Sequence, residues 1–222
     1  GAGKSTVTRA FAERLGLVYL DTGAMYRAVT WLILEQGVDS ADPVAVEIVL
    51  NDLNVELEPL HQGVQVVRVN GLDVTEAIRD PRVTASVSTV AAHGCVRNAL
   101  TAQQQRLGKA GGLVAEGRDI GTAVFPEAEV KVFLTASPAE RARRRSLDLR
   151  ARGHEVPALT ELEAQIVARD HQDSTRDVAP LVKAVDATEL ISDGMSIDQV
   201  IDALEDLFRS RVGEEVWSTP IS

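Results

Sequence analysis

GAGKSTVTRAFAERLG, residues 1–16, decides the fold. Gly3-Lys4-Ser5 closes a phosphate-binding loop of the form G-x-x-x-x-G-K-[ST]. The residues behind it are helical in pattern: Val7, Ala10, Phe11 and Leu15 share a face, and Gly16 is a stop. Glycines let a backbone wrap an anion with its N–H groups pointing inward, and the helix start adds partial positive charge. Lys4 is then placed to reach the β- and γ-phosphates of ATP, and the Ser5 hydroxyl to hold Mg²⁺. Gly1, Ala2, Gly3, Lys4, Ser5 and Thr6 together form the expected ATP-binding segment. Taken alone, a chance Gly-Lys-Ser-Thr would look the same.

The first glycine of the full motif falls three residues before Gly1, and the hydrophobic strand that feeds such a loop falls earlier still. The sequence is therefore expected to lack the first, central strand of its sheet. Each buried aliphatic side chain of such a strand contributes about 1.5–3 kcal/mol, against a total domain stability of about 5–15 kcal/mol. These residues alone are accordingly expected to fold poorly or to have little activity. Two readings compete: an intact enzyme with a shortened record, and a truncated remnant that binds nucleotide or a partner without catalysis.

The 222 residues suit one compact domain, and a hydrophobic fraction of 45% is ordinary for a soluble one. No run of 18 apolar residues suggests a membrane span. Cys95 is the single cysteine, which excludes an internal disulfide and suits the cytoplasm. His61, His93, His154 and His171 have no metal-ligand spacing. A net charge of −10 argues against nucleic-acid binding. The cations are 19 Arg and only 4 Lys. Genomic base composition accounts for most of that excess, so only the placement of particular arginines is informative.

Along the chain, strands are expected at 17–20, 113–115, 130–134 and 184–186, alternating with helices at about 24–35, 95–109, 139–150, 160–175 and 196–211. Further helices are expected at 42–53 and 82–92. Between these two lie short strands at 55–58, 64–69 and 72–74, and Asn70-Gly71 is a strong hairpin signal. The pattern predicts an α/β fold, a parallel sheet flanked by helices, with a small antiparallel insert over 38–92. The arginine-rich helix opens a lid region over 141–170, and residues 213–222 read as a tail.

Several segments in order, GAGKST, LDTGAMYR, VTEAIR, EGRDIGTAVFP, ERARRR and RDHQDSTRDVAPL, resemble the bacterial cytidylate kinases over nearly the whole chain. DTGAMYR followed by GRDIGT is a sharper signal than the loop fragment. The resemblance implies a P-loop nucleoside monophosphate kinase, with the β-rich insert as its monophosphate-binding part. It implies the reaction ATP + CMP → ADP + CDP, with dCMP as a second acceptor and Mg²⁺ as cofactor. It also implies a monomeric cytoplasmic enzyme of pyrimidine nucleotide metabolism, with no nucleic-acid or membrane partner.

The same resemblance implies substrate-binding roles for Thr22, Tyr26, Arg27, Ser88, Arg97, Gly117, Arg118, Asp119, Asp173 and Arg176. It implies catalytic roles for Lys4, Arg118, Arg141, Arg145, Arg169 and Arg176. The chemistry agrees, because a nucleotide phosphate suits bidentate arginines and a base or ribose needs hydrogen-bond partners. Singly, each residue has a plainer reading. Arg27 suits a solvated helix surface, Arg118-Asp119 a local ion pair, and Asp173 with Arg176 an i, i+3 helix pair worth about 0.2–0.5 kcal/mol. The arginine helix also suits a basic surface or an RNA contact. A monophosphate kinase needs no strong general base; it needs alignment, charge neutralisation and closure. Kinases of UMP, AMP or a small metabolite are the neighbouring alternatives.

Overall fold

The computed structural model describes residues 3–61, 63–151 and 153–213. Gly1 and Ala2 of the expected loop, and the tail beyond Gly213, lie outside the described residues.

Helix α1, Lys4–Leu15, starts after Gly3 in the left-handed region (φ 78°) and stops at Gly16, also left-handed (φ 65°). Only glycine adopts that conformation without cost, which is why both bounds were visible in the sequence. Val7 and Phe11 are buried against Val200 and Ile201 of helix α8, Ile197–Arg211. Phe11 meets Phe208 edge-on, with ring centroids 6.0 Å apart. Strand β1, Val18–Asp21, leads directly into α2, Thr22–Glu35, and the Asp21 carboxylate caps that helix by accepting from Ala24 N at 2.8 Å. Helix α2 is buried along nearly all of its faces, and Met25, Ala28, Val29 and Ile33 are fully enclosed. A helix apolar all round belongs at the centre of a core.

Helix α3, Pro43–Leu50, is capped by Asp42, with proline at its first position. Strands β2 (Val55–Leu57), β3 (Val67–Val69) and β4 (Leu72–Asp73) form an antiparallel sheet. Asn70 and Gly71 both have positive φ (52° and 82°), as a two-residue hairpin turn requires. Helices α4 (Pro81–Val90) and α5 (Gly94–Gly108) follow. The insert packs on α2 and α5 in one continuous core that joins Leu20, Met25 and Val29 to Val55, Val69, Val87 and Leu100.

Two side chains also tie the tip of the insert to the rest. Gln65 Nε2 donates to Tyr19 O at 2.8 Å, and its Oε1 lies 3.4 Å from Asp21 N, so the amide acts as a one-residue partner for the free edge of β1. Arg9 on α1 donates to Gly63 O at 2.5 Å.

Strand β5, Leu113–Glu116, pairs in parallel with β1, placing Asp21 opposite Glu116. A short π-helical turn, Ile120–Val124, follows. Strand β6, Val132–Thr135, pairs in parallel with β7, Thr188–Ile191. The two parallel pairs are not hydrogen-bonded to each other. A cavity of about 630 Å³ lies between them, lined among others by Phe11, Val114, Phe133, Leu134, Leu181 and Phe208. The last strand is not at 184–186, where the sequence suggested it. That segment is a turn, with Ala187 N bonded to Ala184 O and Val185 fully in solvent. The strand forms a few residues later, where Leu190 joins the cluster around Phe11.

Helices α6 (Pro138–Ala151) and α7 (Leu159–Thr175) pack on each other and make up the region read as a lid. Among the described residues, no helix is long and apolar enough to cross a membrane.

Candidate active site

The carboxyl ends of β1 and β5 and the start of α1 open into one cleft of about 640 Å³. Ligands of open α/β sheets bind at such strand ends. The register of β1 against β5 brings the DTG and EGRD segments together, far apart though they are in sequence. The Thr22 hydroxyl bonds Glu116 O at 2.6 Å and locks the two strand ends. Gly117 stands at that junction: a Cβ there would collide with the Thr22 hydroxyl and lie 2.7 Å from Ile120 Cδ1.

On one side of the cleft stand Gly3, Lys4, Ser5 and Thr6. Lys4 is half-buried, and its pKa is pushed down to about 8, first by loss of solvent, then by the charge of Arg118; Glu116 opposes that fall. Glu116 is itself 7% exposed. Burial and the neighbouring Asp21 push its carboxyl up, while the Tyr19 and Ser5 hydroxyls and Lys4 pull it back. On α6, Arg143, Arg144 and Arg145 border the cleft. Arg144 is the best anchored, with Nε on Glu140 at 2.8 Å and Nη2 on Ser192 O at 2.6 Å, and it lies 3.8 Å from where a Gly3 side chain would begin.

On the other side four arginines and two carboxylates form a network. Arg97 and Asp119 are ion-paired, with side chains 3% and 4% exposed. Arg97 also donates to Ala91 O at 2.9 Å, and its guanidinium lies 5.2 Å from the centre of the Tyr26 ring. Burial pushes the Tyr26 hydroxyl up to about 12, so it remains a neutral donor. Arg176 lies 3.8 Å from both Asp119 and Asp173 and is held by Ala179 O at 2.6 Å. Arg118 bonds Asp173 at 2.8 Å, and Arg169 stands 4.0 Å from it. Burial and surrounding cations push the Arg169 and Arg176 pKa values down. Arg27 pairs with Asp21 at 3.0 Å, and Ser88 of α4 completes the wall. Four cations against two anions leave the network with excess positive charge, which suits a phosphate dianion.

Of the residues expected from sequence, Lys4, Ser5, Thr6, Thr22, Tyr26, Arg27, Ser88, Arg97, Gly117, Arg118, Asp119, Arg145, Arg169, Asp173 and Arg176 all line this one cleft, as does Gly3. Arg141 does not. It turns to Asp170 at 2.5 Å and borders the apolar cavity behind Lys4. Glu116 and Tyr19 were not singled out beforehand. Glu116 could have been, as the polar residue that ends a buried strand beside the loop. Among the described residues no three His, Cys, Asp or Glu side chains cluster as a metal cage. A hydroxyl and one carboxylate beside a phosphate loop instead fit Mg²⁺ that arrives on nucleotide phosphates and keeps several waters.

A parallel α/β sheet with a phosphate loop, a helical lid and a small antiparallel insert is the architecture of the P-loop nucleoside monophosphate kinases. The chain belongs to the cytidylate kinase family, whose model matches residues 1–210. It is 83% identical over 221 residues to a bifunctional pantoate ligase/cytidylate kinase of Synechococcus sp. (strain CC9311), a match covering 100% of this chain and 45% of that protein. A protein of the same description from Prochlorococcus marinus (strain MIT 9303) is 74% identical over 220 residues, 99% of this chain and 45% of its own length. A third, from Parasynechococcus marenigrum (strain WH8102), is 67% identical over 220 residues, 99% of this chain and 44% of its own length. The chain thus spans somewhat under half the length of these relatives.

Proposed function

We propose that this chain transfers the γ-phosphoryl group of ATP to CMP, and to dCMP, giving ADP and CDP or dCDP. The observation that carries this reading is the cluster of Arg97, Arg118, Arg169 and Arg176 around Asp119 and Asp173, facing Lys4 across one cleft. It supplies cations for an acceptor phosphate and buried carboxylates for the polar edges of a base and sugar.

In this mechanism the acceptor phosphate is already a nucleophile, and the protein aligns it. Arg27, Arg118 and Arg176 hold the acceptor, and Asp119 and Asp173 set its orientation by holding Arg118 and Arg176, as Asp21 does by holding Arg27. Lys4 and the Gly3–Ser5 backbone hold the donor phosphates, with Arg144 and Arg145 near them. Ser5 would hold Mg²⁺ arriving on ATP, which would supply neutralisation of the nucleotide phosphate charge. Helices α6 and α7 close over the reacting groups and keep water, a competing acceptor, out. We place the reaction in the cytoplasm, where both nucleotides occur, and assign it to a monomer within pyrimidine nucleotide metabolism.

The test is direct. The purified protein with ATP, Mg²⁺ and each of CMP, dCMP, UMP and AMP is followed for diphosphate product by ³¹P NMR. CMP turnover well above that of UMP and AMP is expected; no CDP, or a clear preference for AMP, overturns the assignment.

A further inference from the structure

We propose that Tyr19 is a positioning residue for phosphoryl transfer, its hydroxyl clamping the Glu116 carboxylate so that this acid stays off the phosphate-loop lysine. The inference rests on the kinase reading above.

The clamp follows from the sheet. Tyr19 lies two residues before Asp21 on β1, so both side chains leave the same face. Asp21 stands opposite Glu116 in the parallel register. Tyr19 therefore reaches Glu116 diagonally, and its Oη donates to Glu116 Oε1 at 2.5 Å. Both residues are sealed, 6% and 7% exposed, so no solvent competes for that oxygen. The backbone of Tyr19 is fixed as well, because its carbonyl accepts from Gln65.

Glu116 faces a like charge, Asp21, across the strand pair and lines the same cleft as an opposite one, Lys4. Released from the tyrosine, its carboxylate is repelled by Asp21 and drawn to the Lys4 ammonium. A carboxylate on Lys4 competes with the nucleotide phosphates for the same cation. Tyr19 also belongs to neither wall of the cleft. It acts through Glu116 and touches no reacting atom.

Tyr19→Phe deletes the hydroxyl and keeps the ring. The expected result is MgADP binding weaker by about tenfold in calorimetry and turnover lower by a similar factor, as is usual for groups that orient a ligand-binding side chain. KM for CMP should stay within about twofold, because the arginine network is untouched. Glu116→Gln removes the charge that Tyr19 restrains, so adding Tyr19→Phe to Glu116→Gln should weaken MgADP binding no further. Glu116→Asp, one methylene short of the hydroxyl, should reproduce the nucleotide defect with Tyr19 intact, and it covers the case of a poorly folded Tyr19→Phe protein. Unchanged MgADP affinity in Tyr19→Phe, a lowered Tm as its only effect, or multiplicative losses in the double variant overturn the clamp. The calorimetry reads it whether or not the unaltered protein phosphorylates CMP, so failure of the kinase reading is seen separately.

Discussion

Arg97 and Asp119 form an ion pair almost closed to solvent, with side chains 3% and 4% exposed. Removing one partner strands the other. Asp119→Ala leaves Arg97 with Ala91 O as its remaining hydrogen-bond acceptor, and takes from Arg176 one of its two neighbouring carboxylates. Loss of one partner of a buried pair costs about 3–5 kcal/mol. Urea unfolding should register that loss in Asp119→Ala, with a smaller loss in Asp119→Asn, which keeps an acceptor. Equal stability of the two variants would contradict the charge argument.

Arg176→Ala should weaken CMP binding as well as turnover. Its guanidinium bridges the two carboxylates, at 3.8 Å from each, and is 6% exposed. A hydrogen bond to a charged group contributes about 1.5–3 kcal/mol, which is about ten- to a hundredfold in Kd. Calorimetry with CMP checks it; an unchanged Kd would remove Arg176 from the acceptor site.

Lys4→Ala should lower turnover far more than it weakens CMP binding, since Lys4 faces the donor side. The pH dependence has a definite sign. Burial lowers the Lys4 pKa from 10.5 to about 8, so the ammonium form is present below about pH 8 and is lost above it. The kcat/KM for ATP, which reports the free enzyme, should be level through neutrality and fall with an apparent pKa near 8. A profile level to about pH 10, near the ordinary lysine value, would show that this lysine's charge is not needed.

Gln65→Ala removes the side-chain partner of the β1 edge at Tyr19 O and Asp21 N. A loss of about 1 kcal/mol is expected from thermal unfolding. Tyr19 is buried, so its carbonyl would be left with poor access to water. A variant as stable as the parent protein would mean that the edge is satisfied otherwise.

Much of this was legible in the residues because it is local. Gly3 and Gly16 bound α1, Asn70-Gly71 makes the β3–β4 turn, and the Asp21-Thr22-Gly23 and Gly117-Arg118-Asp119 segments sit where strands end. What could not be read depends on register and distance. Tyr19 looks like strand filler until β1 lies beside β5. Gln65 and Arg9 matter only because the hairpin tip folds back onto β1 and α1. Arg144 looked no different from Arg141 and Arg145 on the arginine helix; its grip on Ser192, 48 residues on, sets it apart. The last strand was misplaced because Ala184-Val185 is a short apolar pair, whereas Thr188–Ile191 carries Thr188 and Glu189 and owes its pairing to β6.

The missing side chain at Gly117 sets the gauge of the whole cleft. The absence of one methyl lets two strand ends close to the width of a hydroxyl, with Thr22 as the rivet between them. The arginine bank is referenced to that spacing through Arg118, which follows Gly117 directly and pairs with Asp173. Redesigning this domain for a bulkier acceptor therefore cannot begin at the arginines: a wider site has to be opened first at the seam that glycine keeps shut.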